Sequence, residues 1–272
     1  MARRLAADEI AEDVFACSPS PFSGNVYLVG SGGGWALIDT GIAGMAPAIR
    51  ALAASLFGPA AAPVAILLTH VHPDHAGSAR TLARAWSCPV YVHADEMDLA
   101  VAHDVATIER YATPLDRRLV LPILRRLPRR RWERMLQADS LAGHARPLPA
   151  DGSVPGLAGW TRLATAGHTP GHTAFYRAED RVLISGDALL TVDIGSVGGL
   201  LLAVLWPQRV RVTAPPAYLD LDHRRAVASA LELARLGPRV LAPGHGIPLA
   251  GAAARTHLEG FLRDHEPGPA RA

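Results

Sequence analysis

Thr69-His70-Val71-His72-Pro73-Asp74-His75-Ala76-Gly77 decides how this chain is read. Three histidines and one aspartate fall between positions 70 and 75. Residues 64–69 form an almost unbroken apolar run, as expected for a strand buried on both faces. Residues 77–86 then read as a helix. In an extended segment, residues two apart project to the same side. His70, His72 and Asp74 can therefore converge, while His75 comes from the turn into the helix. Imidazole nitrogens and carboxylate oxygens are good ligands for divalent transition metals. A polar surface loop with clustered histidines is the alternative, and the strand–loop–helix setting weighs against it.

Three further pieces lie downstream. Gly167-His168-Thr169-Pro170-Gly171-His172-Thr173 precedes a predicted strand, Ser185-Gly186-Asp187 ends the next one, and Pro243-Gly244-His245-Gly246 ends the last. Each places a ligand-type residue beside a strand end, where open α/β sheets carry their sites. A lone histidine in a glycine-rich turn is usually structural. Four such pieces in this order carry more weight. His172, four positions after His168, can either contact substrate or orient a ligand.

Around these motifs, strands are predicted at 25–29, 35–39, 64–69, 89–92, 161–164, 173–177, 181–185 and 239–242. Helices are predicted at 45–57, 77–86, 94–103, 222–236 and 250–263. The glycine cluster at 30–34 reads as a hairpin loop. It does not fit the spacing of a dinucleotide loop, and a strand follows it instead of a helix. Strands and helices alternate in both halves, which implies one α/β domain over residues 1–272 with two strand layers. Residues 104–149 form an arginine-rich insertion.

Together the motifs resemble the metallo-β-lactamase superfamily, whose HxHxDH signature is matched at positions 70–75. The resemblance spans about residues 25–246. It implies an αββα sandwich of two mixed β-sheets flanked by helices, with the site at one edge. It implies that His70, His72 and His168 bind one metal ion and that Asp74, His75 and His245 bind a second. Asp187 is then the bridge, and Asp39 supports the metal loop from behind. It implies two divalent ions, zinc first, with iron or manganese as alternatives. The activity implied is hydrolysis by a metal-bridging hydroxide, with Asp74, Asp187 and His172 around the reaction. Small esters, thioesters and lactones are the expected substrates. A phosphodiesterase or nuclease, a mononuclear iron enzyme acting on sulfur, and a metal-bearing binding module are the alternatives. True β-lactamases of this superfamily lack the bridging aspartate, so Asp187 argues against antibiotic hydrolysis.

Composition removes other chemistries. The formal charge is +2, and all 27 basic residues are arginine, because the chain has no lysine. Schiff-base lysine catalysis and a phosphate-loop lysine are excluded. Cys17 and Cys88 are the two cysteines, too few for a disulfide framework or a four-thiolate zinc site. No GxSxG elbow is present. The N-terminus shows no secretory h-region, so a cytoplasmic location is expected. The longest apolar run, residues 194–206, is too short for a transmembrane span of about twenty residues and reads as buried or pocket-lining.

The stretch 116–134 carries eight arginines against Asp116 and Glu133. Apolar residues interleave with them. Pro128 can start a short helix, placing Trp132, Met135 and Leu136 on one face. One reading is a solvated basic helix. The other is a cap over the metals, in which Arg125, Arg126, Arg129 and Trp132 contact an acidic or amphiphilic small molecule. Nucleic acid is not the expected partner, since no aromatic platform accompanies the arginines. The oligomeric state is left open.

Overall fold

The computed structural model describes residues 5–19, 23–102, 104–128, 130–131, 133, 140–194 and 210–265. Twelve strands form two sheets among these residues. The first sheet holds β1 (Asp8–Ala11), β2 (Val14–Cys17), β3 (Val26–Ser31), β4 (Gly34–Ile38), β5 (Ala65–Leu67), β6 (Val90–Val92) and β7 (Ala145–Pro147) in sequence order. Pairing is antiparallel from β1 to β4 and parallel from β4 to β7. The second holds β8 (Trp160–Ala164), β9 (Thr173–Arg177), β10 (Val182–Gly186), β11 (Val240–Pro243) and β12 (Leu249–Ala250), ordered β12-β11-β10-β9-β8. Only β10 and β11 run parallel in it.

Side-chain alternation builds the layers. Tyr27, Val29, Ala36, Ile38, Ala65 and Leu67 face inward and meet Phe175, Val182, Ile184 and Val240 from the other sheet. Their sequence neighbours Leu28, Leu37 and Ile66 face outward, against Ile49 and Leu52 of the helix Ala46–Phe57 and Leu82 of the helix Ala79–Trp86. Trp35 stacks on Phe57 at 4.8 Å and meets Trp86 edge-on at 5.5 Å, fixing both helices to that face. On the far side, Leu183 and Leu241 pack on Leu233 of the helix His223–Arg235 and Phe261 of the helix Gly251–His265. The result is helix, sheet, sheet, helix, which is the expected αββα sandwich.

The β3–β4 connection turns on Gly32 and Gly33, with φ of 54° and 93°. Two left-handed residues match the twist of a tight hairpin, which is why glycines stand there. Residues 104–149 hold the short helices Val105–Arg110 and Leu121–Leu124. The segment ends in β7, paired to β6, so its last residues belong to the sheet. Of the expected helix after Pro128, Arg130, Arg131 and Glu133 are helical, whereas Arg129, Trp132, Met135 and Leu136 lie outside the described residues. So do His103 and positions 195–206 of the apolar run. No described helix is long and apolar enough to cross a membrane.

Topology gathers the motifs at one edge. The parallel strands β4 and β5 end there, followed by Asp39 and Thr69, and β10 and β11 end there with Asp187 and His245. β9 runs antiparallel to β10, so His168 and His172 precede it at the same edge. The two sheets are joined there. Asn25 donates from its backbone to Gly244 O at 2.7 Å, and from Nδ2 to Pro243 O at 2.9 Å and Gly246 O at 2.8 Å. Tyr27 Oη donates to Pro243 O at 2.6 Å, and Thr173 N donates to Thr69 O at 2.9 Å.

Candidate metal centre

His70, His72 and His168 bring three ring nitrogens together. His72 Nδ1 lies 3.0 Å from His70 Nε2 and 3.0 Å from His168 Nε2. Nitrogens around a tetrahedral zinc at about 2.0–2.1 Å stand about 3.3 Å apart, so this spacing fits one ion. A second group forms beside it. His245 Nε2 is 3.1 Å from Asp74 Oδ2, and His75 Nε2 is 3.3 Å from His245 Nε2. Both clusters have the make-up of a metal site.

Asp187 lies between them. Its Oδ2 is 3.5 Å from His168 Nε2 and 3.6 Å from His245 Nε2, and its Oδ1 is 3.3 Å from His75 Nε2. Oδ1 is buried and accepts no well-formed hydrogen bond among the described residues. A buried carboxylate oxygen without a donor is costly unless a cation completes it. Gly244 must be glycine for this approach, because a Cβ there would run into Oδ1.

The far side of each imidazole is tied to an acceptor, which aims its other nitrogen into the centre. His75 Nδ1 donates to Asp39 Oδ2 at 2.8 Å, and His168 Nδ1 donates to Asp220 Oδ1 at 2.9 Å. His70 Nδ1 meets Thr69 Oγ1 at 3.0 Å, and Thr69 Oγ1 donates onward to Asp39 Oδ2 at 2.8 Å. Asp39 therefore steadies a member of each cluster. It sits at φ 58°, a left-handed conformation that aspartate tolerates better than most side chains. Its other oxygen accepts Thr69 N at 2.8 Å.

His172 is fully buried and has both nitrogens engaged. Nε2 accepts the backbone N–H of Asp187 at 2.9 Å, so the neutral ring carries its proton on Nδ1 and donates to Thr165 Oγ1 at 2.7 Å. Of the two roles open in the sequence, this geometry matches the orienting one.

Charge separates the two clusters. Burial, then the neighbouring imidazoles, holds His70 well below its usual pKa, and burial with His168 pushes His72 down to about 4. Burial also opposes charge on His75, but Asp187, Asp74 and Asp39 outweigh it and raise the ring well above its usual value. His245 is raised against burial by Asp187 and Asp74. Asp187 is held well below the carboxylate range, its burial overcome by His245 and His75. His70 and His72 thus offer neutral nitrogen donors at neutral pH. The second cluster demands positive charge.

Two acids escaped the sequence reading. Asp220 accepts His168 through one oxygen and His223 Nδ1 through the other, at 2.7 Å. Glu96, fully buried, accepts Val71 N and Gly171 N at 3.0 Å each, linking the two loops that carry His70, His72 and His168. A Cβ on Gly171 would lie 2.6 Å from Glu96 Cγ, so the glycine admits this contact. Neither carried a distinctive local signal, Asp220 lying two residues before the N-cap Asp222 of the helix His223–Arg235.

Two of the arginines expected to meet substrate are described. Arg125 is exposed and paired with Glu109 at 2.6 Å, and Arg126 is exposed. Arg129 and Trp132 are outside the described residues. A cavity of about 400 Å³ adjoins His72; apart from His72 and Ser140 its described lining residues are apolar, and none of them is an arginine.

A sequence profile of the metallo-beta-lactamase superfamily matches residues 19–245. The probable metallo-hydrolase YflN of Bacillus subtilis (strain 168) is 36% identical over 222 residues, 82% of this chain and 79% of that protein. TTHA1623, solved in a di-iron-bound form, shares 29% identity at a TM-score of 0.56, covering 93% of this chain and 99% of its own. The metallo-beta-lactamase family protein TTHA1429 from Thermus thermophilus shares 26% identity at a TM-score of 0.59, covering 94% of this chain and 80% of its own.

Proposed function

This chain belongs to the metallo-beta-lactamase superfamily, and we propose that it is a dinuclear member acting on a small ester, thioester or lactone. It is a metal-dependent hydrolase by that membership. The observation that carries the dinuclear reading is Asp187, whose two oxygens face nitrogens of both clusters while Oδ1 accepts no well-formed hydrogen bond among the described residues. The di-iron form of TTHA1623 supports the same count. His70, His72 and His168 hold one ion, Asp74, His75 and His245 the other, and Asp187 spans the pair. Nitrogen and oxygen donors without thiolate suit zinc, iron and manganese alike. Zinc is our first assignment.

Bound there, two divalent ions supply Lewis acidity and make hydroxide available near neutral pH. The chain's own residues do the rest. Asp39, Asp220 and Thr69 keep the far-side protons of His75, His168 and His70, so that these rings present lone pairs inward. His172 fixes the peptide that carries Asp187. The test is a screen of ester, thioester, lactone and phosphodiester substrates on zinc-loaded protein, with Asp187→Ala as control. Turnover of a carboxylic substrate that falls by orders of magnitude in the variant is expected. Turnover of phosphodiesters alone would overturn the bond assignment, and full activity in Asp187→Ala would overturn the bridging role.

A further inference from the structure

Beside the metal ligands lies a cavity of about 400 Å³, within the range of about 300–1,000 Å³ typical of small-molecule pockets. Its wall is shared between the metal loop and the segment that follows β6. Val71 and His72 line it together with Leu99, Ile108 and Leu141. Among the described residues no Asp, Glu or Arg lines it. His72 stands in both structures, with Nδ1 in the cluster with His70 and His168 and the residue itself in the cavity wall. Leu99 and Ile108 are only half-buried, and Ile42 at the same cavity is 44% exposed. Large apolar side chains left facing water around one concavity mark a binding site.

We propose that this cavity holds the apolar body of the substrate, and that the preferred substrates are esters, thioesters or lactones with an aliphatic acyl group of several carbons. The inference rests on the hydrolase reading for the bond, but the pocket itself does not. An acyl chain lying against Val71, Leu99 and Ile108 puts its carbonyl at the end nearest His72 and the ligand cluster. The apolar wall at Val71, Leu99 and Ile108 fixes orientation, since a charged or strongly hydrated group placed against those side chains loses its water without a partner there. Selection then follows chain length. Each buried methylene is worth about fourfold in affinity until the cavity fills.

The experiment titrates straight-chain carboxylates from acetate to octanoate into zinc-loaded full-length protein by calorimetry. Affinity should rise about fourfold per added methylene and then level off. In Ile108→Asp and Leu99→Asp the rise should flatten to less than twofold per methylene, with zinc content unchanged. Both sites are half-buried, so the core stays intact, and a melting curve verifies folding. Affinity independent of chain length in the parent protein, or a rise unaltered in both variants, overturns the proposal. Kinetics separate the two ideas. If octanoate binds in this way but no carboxylic ester, thioester or lactone is cleaved, the pocket stands and the bond assignment falls.

Discussion

His172 Nε2 accepts the backbone N–H of Asp187 at 2.9 Å, so a histidine from one metal motif sets the position of the aspartate from another. His172 is fully buried and its second nitrogen is taken by Thr165. The expected outcome of His172→Ala is a loss of about 10–100-fold in metal affinity, as for other residues that orient ligands. The pH–rate profile of the remaining activity should keep its shape. Loss of one limb of that profile with metal binding intact would instead make His172 a proton-transfer group.

Glu96 gives a sharper separation. It ties Val71 N to Gly171 N, and both loops feed the cluster of His70, His72 and His168. Glu96→Ala leaves the buried Gly171 N–H and the part-buried Val71 N–H unpaired, at about 1–3 kcal/mol for the buried one and less for the other. Chelator competition should show one ion released about tenfold more easily and the other unaffected. Glu96→Gln keeps a carbonyl acceptor for one of the two amides and should fall between. Equal weakening of both ions would contradict the linkage.

The ligand edge was legible in the sequence because its residues cluster in four short motifs, each at a strand end. The supporting acids were not. Glu96 lies in Asp95-Glu96-Met97-Asp98, which reads as an ordinary acidic helix start, and Asp220 is 52 positions from the histidine it serves. Long-range pairing of this kind leaves no local trace. The short strands were lost for another reason. β1 is four residues beginning Asp8-Glu9, β7 is three residues ending in proline, and β12 is two residues long. Each is too brief or too polar to show a period of two, and each is added by its neighbour's hydrogen bonds.

Asp220 offers its own test. It receives His168 and His223 on separate oxygens and is fully buried on its side chain. Asp220→Asn keeps the shape but weakens acceptance from His168 Nδ1. A drop of about 10–100-fold in affinity for the ion held by His168 is expected, measured by zinc titration against a chromogenic chelator. Unchanged affinity would show that His168 needs no such support.

The cysteines are predicted to be inert. Burial pushes both Cys17 and Cys88 up to about 11, with Asp8 adding to the effect at Cys17. At pH 8 about one thiol in a thousand is then ionised. Iodoacetamide should leave the native protein unmodified and add two groups in guanidinium, as read by mass spectrometry. Because the folded thiols ionise later than unfolded ones, their contribution to stability is complete below about pH 8.5 and is lost as pH rises toward 11. Rapid native labelling at pH 8 would contradict their placement.

The central claim is that one carboxylate, Asp187, joins two metal sites. The most direct measurement is metal content by plasma mass spectrometry, on zinc-loaded and exhaustively desalted protein, for the parent chain and for Asp187→Ala. Two clusters sharing Asp187 predict about two ions per chain in the parent and fewer than one firmly held in the variant, with the circular dichroism spectrum unchanged. One ion per chain in the parent, or two held equally tightly without Asp187, would contradict it.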